Sequence, residues 1–154
     1  MRNKRKHVLT FILFCSLVFS IRAQQQHPYL FFTPDRIATL KEQLKSEKEV
    51  KANYARVEQA AKEALKENNP YRKLEYLALA YQMTGEKRYA DKIKESIRQT
   101  GEKETLEAKD MLNREPAWTS LLSTAHANHQ MAIGFDAIYN ELSDEERKEL
   151  AQAI

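Results

Sequence analysis

Cysteine is almost missing from this chain. Cys15 is the only one among 154 residues, so no intramolecular disulfide can staple the fold, and stability must come from packing. Glycine is scarce, at Gly85, Gly101 and Gly134 only, and β-branched runs are absent beyond the first two dozen residues. Tight-turned strand architectures are therefore excluded, and apolar residues recur at helical rather than alternating spacing. No apolar run reaches the roughly 20 residues that a membrane-spanning helix needs. The longest occupies residues 8–21.

That run has a basic front, Arg2, Lys4, Arg5 and Lys6, and is followed by Arg22-Ala23 and then Gln24-Gln25-Gln26. Basic, apolar, small residue is the order of a secretory signal peptide, with the positive end held on the cytoplasmic side. Residues 1–23 are read as a cleaved leader and 24–154 as the mature chain, working in the periplasm or outside the cell without a stable membrane anchor. Two alternatives are weaker. Ile21 is bulky for the usual cleavage site, which would leave an uncleaved anchor, and Phe14 stands before Cys15 where a lipid-attachment site wants a small residue. Cleavage removes five cations and the cysteine, turning 25 basic against 22 acidic residues into 20 against 22. The apparent basicity belongs to the leader, so it gives no ground for nucleic-acid binding.

About 130 residues remain, enough for one modest core. The fold class is all-α. Thr33 is placed to cap a first helix with Pro34 and Asp35 in its first turn, and Ile37, Leu40 and Leu44 form its inner stripe. The lead-in His27-Pro28-Tyr29-Leu30-Phe31-Phe32 is expected to lie extended against later helices. A second helix over 47–66 turns Val50, Tyr54, Val57, Ala61 and Leu65 to one side and ends at Asn68-Asn69-Pro70. Its dense mixture of charges is that of a solvated outer helix. Leu74, Leu77, Ala78 and Tyr81, the Thr84-Gly85 turn, then Tyr89, Ile93 and Ile97 read as an antiparallel helical hairpin. Thr100-Gly101 is expected to stop it, with a loop or a short exposed helix over 102–115. A long helix over 116–139 carries Trp118, Leu121, Leu122, Ala125, Ala132, Phe135 and Ile138. Gly134 inside it costs about 1 kcal/mol relative to Ala, which close packing would explain. Ser143 and Glu146 form a capping box opening a last helix, whose apolar Leu150, Ala151 and Ile154 suggest that more chain follows.

Five residues stand out as candidate ligand contacts. His126, Asn128, His129 and Gln130 cluster in an otherwise packable helix, and Trp118 lies two turns earlier. Together they could hydrogen-bond a sugar whose ring stacks on Trp118. The plainer reading is that His129 pairs with another helix and the rest face solvent. His126 and His129, at i and i+3, could begin a metal site with Asp136, but a metal wants at least three converging ligands and the pair lacks the zincin Glu. Tyr81, Tyr89 and Tyr139 sit at core spacing. No catalytic residue and no cofactor ligand is assigned.

Three phrases carry a family resemblance. His27-Pro28-Tyr29-Leu30-Phe31-Phe32-Thr33 followed by the helix opening at Asp35-Arg36-Ile37 resembles the start of mature heparinase II/III-like and alginate-lyase-like polysaccharide lyases. The run from Leu77 through Thr84-Gly85-Glu86-Lys87-Arg88-Tyr89-Ala90 is similar to one of their hairpins. Gly134-Phe135-Asp136-Ala137-Ile138-Tyr139 with Leu142-Ser143-Asp144-Glu145-Glu146-Arg147 is similar to a helix end and the next capped helix. The resemblance implies antiparallel hairpins forming part of an incomplete (α/α) toroid, followed in full-length members by a β-sandwich. It implies β-elimination on an anionic polysaccharide, with the uronate carboxylate neutralised, a base taking the C5 proton and an acid serving the leaving oxygen. The family's catalytic residues match no position here, and any divalent metal, Ca²⁺ or Zn²⁺, belongs to a part beyond Ile154. The alternative is a non-catalytic, tetratricopeptide-like periplasmic binding module, which should repeat its hairpin at a period of about 34 residues. One good copy is present.

Overall fold

The structure, a computed structural model, describes residues 26–113, 115 and 122–154, without the side chains of 103–112 and 122. Residues 1–23, expected to be a leader, and Trp118 lie outside the described residues. Within them every regular element is helical: α1 (Pro34–Ser46), α2 (Lys48–Ala64), α3 (Leu74–Thr84), α4 (Lys87–Leu112), α5 (Leu122–Ile138) and α6 (Asp144–Gln152). Short 3₁₀ turns at Tyr71–Lys73 and Tyr139–Glu141 precede α3 and follow α5.

Local signals set the helix starts. Thr33 Oγ1 accepts the Arg36 N–H at 3.4 Å, with Pro34 in the first turn. Both halves of the capping box at Ser143 form, the Ser143 N–H reaching Glu146 at 3.0 Å and the Glu146 N–H reaching Ser143 Oγ at 3.2 Å. After α3, Gly85 takes φ 71°, a left-handed conformation that closes a helix without the strain a Cβ would add.

α3 sits at the centre and packs on α2, α4 and α5. Its Leu74, Leu77, Ala78 and Ala80 meet Ala61 and Ala64 of α2, Tyr89, Ile93 and Ile97 of α4, and Met131, Ile133 and Ile138 of α5 in one buried cluster. Each fully buried Leu or Ile there contributes about 1.5–3 kcal/mol of transfer free energy. α1 buries Ile37, while Leu40 and Leu44 are half-covered. Of the tyrosines expected in the core, Tyr89 is buried and Tyr81 and Tyr139 are half-buried.

Two expectations need correction. α4 does not stop at Thr100-Gly101 but continues to Leu112. Gly101 is there for space: a Cβ on it would lie 2.5 Å from Ala153 Cβ and 2.7 Å from the Ala153 carbonyl. The buried surface of α5 is only in part the expected one. Ile138 is buried and Ala132 and Phe135 are half-buried, but Ala125 is exposed, and Ala127, Gln130, Met131, Ile133, Asp136 and Ala137 are buried as well. α5 is contacted by α3, by α4 and, at Asp136, by the lead-in, so its covered surface is wider than one stripe. At Gly134 close packing does hold, since a Cβ would stand 3.0 Å from Ile93 Cγ2. Asn68-Asn69-Pro70, finally, does more than end α2. The Asn69 amide donates to Thr100 Oγ1 at 3.1 Å and its oxygen accepts from Ser96 Oγ at 2.6 Å, which satisfies two buried hydroxyls of α4.

Candidate functional site

The candidate residues of α5 divide by face. His126 and His129 are exposed one turn apart and Asn128 is half-buried. Gln130 points inward instead, 3 % exposed. Its oxygen accepts the Glu75 N–H at 3.3 Å and its amide reaches the Glu75 carboxylate at 3.5 Å, so it ties α5 to the start of α3. Asp136 does not converge with the two histidines. At 1.5 Å rise per residue it lies about 10 Å along the helix from His129 and about 15 Å from His126. No group of three or more His, Cys, Asp or Glu side chains that could hold a metal occurs among the described residues.

The most constrained polar group is Asp136, and the sequence reading gave it only a passing place in the metal alternative. Its carboxylate, 4 % exposed, accepts the Tyr29 N–H at 3.0 Å, the Leu30 N–H at 2.9 Å and a bond from His27 Nδ1 at 2.6 Å. A buried carboxylate is costly unless its oxygens are filled by donors, and here the lead-in fills them. The carboxylate also fixes the imidazole tautomer that donates from Nδ1. The His27 ring stacks on Tyr139 at 3.7 Å and 20°. Arg147 covers that tyrosine, its guanidinium carbon 4.5 Å from the ring centroid and its Nε donating to the Tyr139 carbonyl at 3.2 Å. Asn140 completes the clasp by donating to the His27 carbonyl at 2.8 Å.

Two clefts border this clasp. One, of about 340 Å³, is lined by His27, Pro34, Tyr81, Gln82, Ala137 and Asn140 among others. Burial, and then a hydrogen bond to Glu141, push the Tyr81 hydroxyl well above its ordinary value. Such a phenol stays protonated and donates, so it is a poor resting base. The other cleft, of about 260 Å³, is mostly apolar and runs beneath the lead-in, between Tyr29, Leu30, Phe135 and Ile154.

Above them the lead-in holds its large side chains outward. Tyr29, Leu30 and Phe31 are 40 %, 43 % and 48 % exposed. The ring of Phe31 meets His129 edge-on at 6.0 Å and 83°, which brings the lead-in and the exposed face of α5 onto one surface. No family model matches this chain, and neither does any curated protein or solved structure. The site is therefore read from its own geometry. It offers an anchored aromatic ledge beside two exposed imidazoles. No helix of the described residues is long and apolar enough to cross a membrane.

Proposed function

We propose that this chain is the N-terminal helical part of an exported polysaccharide lyase that cleaves a uronate-containing glycan by β-elimination, its helices arranged as hairpins of an incomplete (α/α) toroid. One observation carries the reading: the three phrases that resemble such lyases, far apart in sequence, touch one another in space. The first phrase supplies His27, Tyr29 and Leu30 to the Asp136 carboxylate of the third. The second supplies Gln82, whose amide donates to the Ala137 carbonyl of the third. Such contacts support the reading that the three phrases act as one structural unit.

The chemistry follows from the substrate class. Removing the C5 proton of a uronate is feasible once the neighbouring carboxylate is neutralised, and an acid must then protonate the leaving oxygen. No residue of this chain is assigned to those roles. The helical part holds polymer and positions it, and the leader at 1–23 delivers it to the periplasm or the exterior, where large anionic glycans are met.

The test is direct. The full-length secreted protein, incubated with alginate and with glycosaminoglycans, should generate unsaturated uronate ends that absorb in the ultraviolet. Absence of that absorbance on every uronate polymer removes the lyase reading and leaves a helical binding module.

A further inference from the structure

Exposed aromatic side chains usually sit on loose backbone or in a partner's interface, but those of the lead-in sit on a backbone that is tied down. Tyr29 and Leu30 donate to Asp136, Asn140 holds the His27 carbonyl, and Arg36 Nη1 donates to the Phe31 carbonyl at 3.2 Å. A buried carboxylate is thus committed to keeping three large apolar side chains in water, where they lose the free energy that burial would give. Such a rigid, outward-facing arrangement is what a pre-organised binding surface needs, because little ordering remains to be done on association.

The groups around Phe31 narrow the ligand. Arg36, exposed, makes that one main-chain bond and faces no carboxylate within salt-bridge reach among the described residues. Its remaining N–H groups form a fork suited to a carboxylate. His129 stands edge-on to Phe31 and is exposed. The Phe31 ring, a guanidinium that spends one N–H on the Phe31 carbonyl and an imidazole 6.0 Å from the ring match a six-membered acidic sugar: its C–H face packs on the aromatic ring, its carboxylate takes the guanidinium and a hydroxyl takes the imidazole.

We infer that Phe31, Arg36 and His129, with Tyr29 alongside, form a subsite for one uronate unit of the polymer. This inference rests on the lyase reading for its substrate class. It adds the subsite itself, and with it a role for the lead-in beyond docking.

The full chain should be titrated by calorimetry with oligouronates of defined length from alginate and from glycosaminoglycans, and with neutral cello-oligosaccharides. At least one oligouronate should bind and the neutral oligomers should bind far more weakly. Phe31→Ala and Arg36→Gln should each weaken binding about tenfold, as aromatic and arginine anchors do. Arg36→Lys should recover little, since the fork is lost. Added salt should weaken the parent more than Arg36→Gln. Both sites are exposed, so unchanged unfolding midpoints will certify the variants. The inference is overturned if no oligouronate binds, if both variants keep parental affinity, or if the chain self-associates and Phe31→Ala abolishes that association, which would give the ledge to a second copy. The two readings fail separately. Binding that depends on Phe31 and Arg36 without elimination by the full-length protein sinks the lyase alone, while elimination with KM unchanged in both variants sinks the subsite alone.

Discussion

Asp136 is the residue on which the N-terminal lead-in depends. Its carboxylate accepts from two main-chain N–H groups and from His27, and hydrogen bonds to a charged acceptor are worth about 1.5–3 kcal/mol each, less the cost of burying the charge. Asp136→Ala removes the acceptor and leaves donors facing a gap, so a loss of about 2–4 kcal/mol is expected in urea unfolding. His27→Ala should cost less, because the carboxylate keeps its two backbone donors. If the two variants lose equally, the carboxylate serves the imidazole rather than the backbone. That the lead-in lies against later helices was legible in the sequence, but its anchor was not. Asp136 and Tyr29 are 107 positions apart, and an aspartate mid-helix reads as a surface residue until its partners are seen. The same holds for Gln130, whose polar side chain looked like ligand chemistry and instead satisfies the start of α3. His126, by contrast, faces solvent as the plainer reading had it, whereas His129, which that reading paired with another helix, is exposed and meets Phe31 of the lead-in.

Among the elements, α4 shows why helix ends differ in legibility. Thr33 with Pro34, Ser143 with Glu146, and Gly85 were readable because each cap acts over a few residues of its own chain. Gly101 carried the same local signal as Gly85 and meant something else, since what presses on it comes from Ala153, beyond the far end of α6. Two effects compete in Gly101→Ala. Helix propensity favours Ala by about 1 kcal/mol, whereas a Cβ 2.5 Å from Ala153 Cβ and 2.7 Å from its carbonyl forces backbone apart, and overpacking of that kind costs about 1–3 kcal/mol. Backbone cannot yield as a flexible side chain does, so the clash wins and the variant should be destabilised. Combining it with Ala153→Gly removes the closest contact but not the carbonyl one. A double-mutant cycle in thermal unfolding should therefore recover part of the loss. Full additivity of the two changes would mean that α4 and the segment after α6 do not meet there.

For the whole molecule, α6 is one of the lightly attached helices. Its one buried side chain is Leu150, and the rest of its hold on α4 is ionic: Lys94 to Glu146 at 2.9 Å and Arg98 to Glu149 at 2.6 Å. The Ser143 N–H, and then Lys94, hold the Glu146 carboxyl below its usual range, and Arg98 does the same for Glu149. A carboxylate whose value is depressed on folding stabilises the fold at pH above its unfolded value, and that contribution is lost as pH falls through the folded value. Acidification from neutral into and below the carboxylate range should therefore loosen α6 before the α3-centred core, whose contacts are apolar and do not titrate. The Arg98–Glu149 pair is solvent-exposed and the Lys94–Glu146 pair half-buried, so added salt should screen the first more than the second and produce a weaker version of the same effect at neutral pH. Hydrogen exchange resolved by residue is the measurement. Amides of α6 should lose protection with falling pH while those of α3 keep theirs, and Glu146→Gln with Glu149→Gln should lower α6 protection at neutral pH and flatten its pH dependence. Uniform loss of protection across α3 and α6 would mean that the helices melt as one cooperative unit and that the ion pairs add no local hold.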